Sequence, residues 1–254
     1  MRIVVDLQGA QTESRYRGIG RYTISFTKAF IKNAGTKHDI WIVLNARCPE
    51  HIPEIKHLFS KLIPEYKIRV FDVPCDNAIN NWMQEASELI RESYIESLEP
   101  DLVLVSSLFE GYWANAVTSI NKTVTGYKTA VISYDLIPLL NKDKYLPSQE
   151  LKNYYYNKLE SLKRSDLILA ISESSRKECI DNIGANSNIV FNISAAIDEQ
   201  FCPSTDDSIS LLREKFSIKN KILLYVPGGF DTRKNFSRLI QAYSLLSKHI
   251  RDEH

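Results

Sequence analysis

Short runs of β-branched and leucine residues, unbroken rather than alternating, constrain this chain most. They fall at 3–6, 40–44, 68–71, 102–105, 130–134, 167–171 and 189–193. A strand that is apolar at every position is buried on both faces, as in a parallel sheet covered by helices above and below. Amphipathic stretches lie between the runs, at 22–33, 52–62, 81–98, 148–164 and 174–183. Strand and helix alternating at this spacing predict repeated βαβ units, hence an α/β fold with a Rossmann-like, doubly wound parallel sheet. The pattern carries no information on strand order.

The rhythm breaks after residue 194. Residues 195–207 carry Pro203, Ser204 and a run of polar residues and read as a linker. Residues 211–216 suit a short helix, 221–226 a further buried strand, and 235–247 a helix with Phe236, Leu239, Ile240, Tyr243 and Leu246 on one face. One βα unit cannot cover both faces of its own strand. The expected organisation is therefore a first domain over 1–194, a hinge over 195–219, and over 220–254 the opening βα unit of a second sheet domain.

Composition narrows the class. Of 254 residues, 44% are hydrophobic and 25% charged, the balance of a folded globular chain. A net charge of +1 provides no global field for a polyanion, so nucleic acid is not an expected partner. The four cysteines form no CxxC pair and have no histidine at metal-ligand spacing, so no structural zinc is expected. Scattered cysteines of this kind suit the reducing cytoplasm. The first apolar run ends at Asp6, too early for a secretion signal, and no 18 apolar residues run together.

Ligands of open α/β sheets bind beyond the carboxyl ends of the strands. After the first run comes RGIGRY, Arg17 to Tyr22, with Gly18 and Gly20 opening a helix. Glycines there let backbone N–H groups approach a phosphate or a sugar hydroxyl. The third glycine of a dinucleotide fingerprint is missing, which disfavours a nicotinamide site. After the fourth run comes SSLFEGY, with Glu110, and after the fifth YDLIPLL, with Tyr134 and Asp135. Asp135 reads either as an acceptor for a sugar hydroxyl or as a loop acceptor for backbone N–H groups. Arg233 and Lys234 follow the Gly228-Gly229 turn at a helix start, where two cations suit a diphosphate, or are simply a solvated charged turn. Ser172 reads as an ordinary helix cap, and of Tyr154 to Tyr156 one or two should pack while the rest are wet.

The ordered set RGIGRY, YDLIPLL, AISESSRKE, NISAAIDEQFCP and YVPGGFDTRKNFSRLIQAY resembles the retaining GT-B glycosyltransferases of family 4, the glycosyl transferase group 1 type. It looks closest to the bacterial mannosyl- and rhamnosyltransferases of surface polysaccharide and O-antigen assembly, and the resemblance covers the whole chain. It implies two Rossmann-like domains, the first for the acceptor and the second for a nucleotide-sugar donor, with no metal and no cofactor beyond that substrate. On this resemblance Gly18, Gly20, Arg233 and Lys234 contact the donor diphosphate. Asp135 positions acceptor and sugar, and Arg21, Glu110 and Tyr134 line the acceptor side. Tyr134 stands where many members carry histidine, Gly229 where many carry arginine, and Ser194 where glycine is frequent.

The resemblance also implies an E-x7-E glutamate pair in the donor domain. Glu88 and Glu96 match the spacing but lie in a first-domain helix, where they read as solvated charges. The remaining donor domain is expected in the same or another chain, and the 254 residues alone are expected to be inactive. Peripheral contact with the inner face of the cytoplasmic membrane would fall to Lys56, Lys61 and Lys67, which otherwise read as a solvated helix face. Two functions follow: transfer of a mannose- or rhamnose-type hexose from a nucleotide sugar to a glycan or lipid-linked glycan, or a non-catalytic module that binds glycan or a partner chain.

Overall fold

The computed structural model describes residues 1–74, 81–123, 126–198, 201–226 and 232–253. The chain divides into two compact units, Met1–Ala196 and Ile197–His254.

In the first unit, β1 (Arg2–Asp6) leads into α1 (Gly18–Ala34), β2 (Asp39–Asn45) into α2 (Ile52–Phe59), and β3 (Ile68–Phe71) is followed by α3 (Asn81–Glu96). Then come β4 (Leu102–Val105), β5 (Lys128–Ser133), the short helices α4 (Ile137–Leu140) and α5 (Lys142–Tyr145), α6 (Gln149–Lys163), β6 (Leu167–Ala170), α7 (Glu173–Ile183) and β7 (Val190–Asn192). All seven expected runs of this unit are strands. They form one parallel sheet in the order β3-β2-β1-β4-β5-β6-β7.

Strands β1 to β6 serve two cores, while the edge strand β7 adds Val190 to one of them. Val4, Val43, Val103 and Val131 pack with Ile95 of α3, Leu159 and Leu162 of α6 and Ile183 of α7. Their chain neighbours Ile3, Val5, Ile42, Leu104 and Ile132 pack on the opposite face with Ile31 of α1 and Ile55 and Phe59 of α2. Burial on both faces is why the runs are unbroken.

Charges cross this apolar framework in two places. Asp6, at the end of β1, and Arg91, on α3, are each 1% exposed and form an ion pair. Gln8 donates to both carboxylate oxygens of Asp6 and to Val117 O at 2.6 Å, and accepts from Val117 N at 2.8 Å. The second place corrects an expectation. Glu88 is not solvated: it is buried, with Lys158 Nζ at 3.2 Å and Lys122 Nζ at 3.0 Å. Burial would raise its pKa, but the two lysines outweigh that and lower it. Glu96 is exposed, because α3 turns only Glu88 toward α6. Lys56 and Lys67 are paired with Glu65 and Asp39 at 3.6 and 2.7 Å, and Lys61 is exposed.

The second unit contains α8 (Asp206–Lys215), α9 (Phe236–Ser244) and α10 (Lys248–Asp252). Residues 221–226 differ from expectation: they form no strand, and Leu224 and Val226 are 79% and 74% exposed. A strand exists only by pairing with a neighbour, and no described residue of this unit supplies one. Helix α8 starts earlier than expected because Thr205 caps it, accepting from Ser208 N. α9 ends before Leu246, so that residue leaves the helical face.

Ser194 adopts φ +56, in the left-handed region that glycine enters without strain. Ser194→Gly is expected to raise the stability of the chain by up to about 1 kcal/mol, since a left-handed strain of about 1–2 kcal/mol is only partly offset by the chain entropy of glycine. Asp6→Asn and Arg91→Met, each stranding a buried charge or its donors, should each cost about 3–5 kcal/mol in urea unfolding. The double variant should cost clearly less than their sum.

Candidate functional site

Strand order reverses direction between β1 and β4, so a crevice opens there at the carboxyl ends of the strands. The loops that follow β1, β4 and β5 carry the residues expected from the sequence. Two of the three loops are joined by one side chain. Glu110, half-buried after β4, accepts from Thr12 Oγ in the loop after β1 at 2.8 Å and from Ser107 Oγ at 3.0 Å. Each carboxylate oxygen offers about two acceptor positions, so acceptor capacity remains for a ligand hydroxyl. The backbone carbonyl of Glu110 is held as well, by the hydroxyls of Tyr154 and Thr118.

The loop after β1 folds as two short helical turns, Gln8–Ala10 and Glu13–Tyr16, and α1 then begins at Gly18 itself. The two glycines differ. A Cβ on Gly20 would lie 2.2 Å from Arg15 Cα and 2.5 Å from Ser14 O, so this residue is glycine because the preceding turn presses on the helix. Gly18 is exposed, and a Cβ there would meet nothing within 4 Å. Arg17 occupies the N-cap position without a side-chain cap bond, which leaves the first N–H groups of α1 available to an anion. Arg17 and Arg21, one turn apart, are both exposed beside this helix start.

Tyr134 directly follows β5, with its hydroxyl engaged internally: Thr23 Oγ lies at 2.9 Å, Ser106 O at 3.1 Å and Ile19 O at 3.4 Å. Burial above all, then the nearby Tyr22 and Glu110, pushes this phenol well above its ordinary value, so it stays neutral. It fastens α1 to the ends of β4 and β5, and the structure gives it a tethering task in place of proton chemistry. Asp135 is exposed next to it, and one of its oxygens accepts from Ile137 N at 3.1 Å, capping α4. The backbone on either side is fixed by α7, where Ser175 Oγ donates to Tyr134 O and Glu178 accepts from Leu136 N at 2.8 Å. Asp135 is thus both a loop acceptor and a carboxylate held in place at a strand end.

Arg233 and Lys234 belong to the second unit. They are exposed on the turn Thr232–Lys234 just before α9, and Tyr225 OH donates to Lys234 O at 3.3 Å. Gly228 and Gly229 lie outside the described residues. The first unit therefore brings together Gly18, Gly20, Arg21, Glu110, Tyr134 and Asp135, whereas the two cations stand on a different unit.

Burial first, then the charges of Glu110 and Glu50, pushes the Cys48 thiol up to about 11, so it is not a nucleophile at neutral pH. Among the described residues no group of three or more His, Cys, Asp or Glu side chains could hold a metal ion. One feature of the site was not found from the sequence. Thr12 as the partner of Glu110 has no local signal, since the two are 98 residues apart. Ser172 does cap α7, accepting from Ser175 N at 3.1 Å, and of the three tyrosines Tyr154 and Tyr155 are buried while Tyr156 is exposed.

No protein-family model matches the chain. It is 34% identical to the serotype-specific mannosyltransferase WbdA of Escherichia coli over all of its own length and 31% of the relative's. A second WbdA of Escherichia coli is 32% identical over 90% of this chain and 29% of its own. The chain thus spans about a third of the length of the curated relatives it matches. Among solved structures, HepE of Anabaena, determined in complex with UDP and glucose, superposes with a TM-score of 0.55 at 16% identity, covering 87% of this chain and 51% of that one. The chain is a relative of these bacterial mannosyltransferases and has the fold of GT-B glycosyltransferases. No helix among the described residues is long and apolar enough to cross a membrane.

The two glycines are separable by experiment. Gly20→Ala should lower stability by about 1–3 kcal/mol through overpacking against Arg15. Gly18→Ala should leave the thermal melt unchanged or slightly raised, because alanine favours a helix by up to about 1 kcal/mol.

Proposed function

We propose, from the kinship with bacterial mannosyltransferases and the GT-B fold, that this chain is the acceptor-side part of a retaining glycosyltransferase. It would transfer a mannose- or rhamnose-type hexose from a nucleotide sugar to a glycan or lipid-linked glycan during surface polysaccharide synthesis. The observation that carries the reading is the 34% identity to a mannosyltransferase over the whole of this chain. The site supplies matching chemistry. Departure of a nucleoside diphosphate needs preorganised donors, and the open start of α1 at Gly18 is one such group, with Arg17 and Arg21 beside it. In the second unit Arg233 and Lys234 offer cations of the kind that hold a diphosphate. The acceptor hydroxyl needs fixed hydrogen-bond partners, and Glu110 and Asp135 are carboxylates locked at strand ends by their own loops. No metal or further cofactor is assigned. The compartment proposed is the cytoplasm, with the acceptor presented at the inner face of its membrane.

The division of labour is testable. The 254 residues alone, given GDP-mannose and a mannan acceptor, should turn over negligibly. Supplying a donor domain, fused or as a separate chain, should restore transfer. Robust transfer by the 254 residues alone would contradict this assignment, and no transfer of any nucleotide sugar in the completed enzyme would contradict glycosyltransfer altogether. In the completed enzyme, Asp135→Asn keeps an oxygen for Ile137 N and should fold normally. Its kcat should nevertheless fall roughly tenfold or more, about 1.4 kcal/mol of transition-state stabilisation.

A further inference from the structure

Trp113 is 85% exposed, yet the loop that carries it is held at many points. Gly111 takes φ +115, with its Cβ position 2.3 Å from Ala116 O, so the chain can turn there only as glycine. Tyr112 packs on Tyr154 at 5.3 Å between ring centres, and Trp113 meets Tyr112 edge to face at 4.6 Å. Beyond the tryptophan, Asn115 O accepts from Asn45 Nδ2 at 3.0 Å, Asn115 Nδ2 donates to Arg47 O at 3.4 Å, and Val117 is locked to Gln8 in both directions. A large apolar side chain displayed on a fixed loop buries little area on folding, so folding does not account for it. Its position does suggest a use. It stands three residues after Glu110, in the loop beyond β4 at the reversal point of the sheet.

We propose that Tyr112 and Trp113 form an aromatic subsite that takes a pyranose ring of the glycan acceptor; this rests on the glycosyltransferase reading. A pyranose presents an apolar C–H face bordered by hydroxyls. An aromatic face supplies area for the first, and a neighbouring carboxylate such as Glu110 accepts from the second. Charge excludes the competing occupants. From Ser106 to Asn121 the only charged residue is Glu110. A nucleotide diphosphate or an anionic lipid surface would require cations beside the tryptophan; this loop has none, and the nearby Arg47, next to Asn115, is paired with Asp72 at 2.9 Å. A loop fixed before binding loses little entropy when the ring docks, so a weak stacking contact is used efficiently.

The test is titration of the 254-residue chain with an α-linked mannotriose, followed by calorimetry, with thermal melts as the control for folding. Trp113→Ala should weaken binding roughly tenfold with an unchanged melt, while Trp113→Phe, which keeps a ring, should stay within about threefold of wild type. Trp82→Ala, also exposed but on α3, should bind as wild type. Unaltered binding by Trp113→Ala overturns the subsite and leaves the glycosyltransferase reading standing. Absence of trisaccharide binding by the wild type overturns the subsite too, and transfer to the same trisaccharide by the completed enzyme then decides whether the wider reading falls with it. A Trp113→Ala variant that loses binding to phosphatidylglycerol vesicles but not to the sugar would make the tryptophan a membrane contact and overturn the proposal.

Discussion

The buried pair of Asp6 and Arg91 is the interaction on which the working end of the sheet depends. Two ions in a medium of low dielectric are tolerated only when each is fully partnered, and here the partnering is also what builds the loops. Arg91 reaches from α3 to the end of β1. Gln8 covers the other side of the same carboxylate and binds both ways to Val117 in the loop after β4. Asn45 at the end of β2 joins through Gln8 and Asn115. The ends of β1 and β2 and the loops after β1 and β4 are thereby set by hydrogen bonds gathered around a buried charge. Such directional bonds fix positions in a way that apolar contacts, which slide, do not.

The sheet was legible because its physics is local. A strand buried on both faces must be apolar throughout, so the inner runs announce themselves without knowledge of their neighbours, and the edge runs at 68–71 and 189–193 are nearly as apolar. Register and order are properties of pairs of strands and have no such signature. The same distinction explains residues 221–226: their composition suits a strand, but a strand needs a partner, and composition does not provide one. Glu88 shows the limit for charges. On its helix it looks like any surface glutamate, and only two distant lysines, Lys158 on α6 and Lys122, make its burial tolerable.

The candidate site was legible in part for related reasons. Gly18, Glu110 and Asp135 could be singled out because position at a strand end is itself a local fact. What they do could not, since Gly20 proves to be required by Arg15, and Tyr134 by Thr23 and Ser106. Trp113 escaped notice because an exposed tryptophan and a buried one are written with the same letter. Its loop must be seen fixed before its exposure acquires meaning.

The turn from Thr12 to Arg17 has a property that none of its contacts shows singly. At one end its backbone lies against Gly20 and so against the first turn of α1; at the other, Thr12 holds Glu110. A ligand on the helix start and a ligand on the carboxylate would rest on the same short piece of chain. A shift of that piece made by one ligand would be met by the other. Two such ligands would then be coupled without touching, and the coupling would be mutual and equal, as linkage requires.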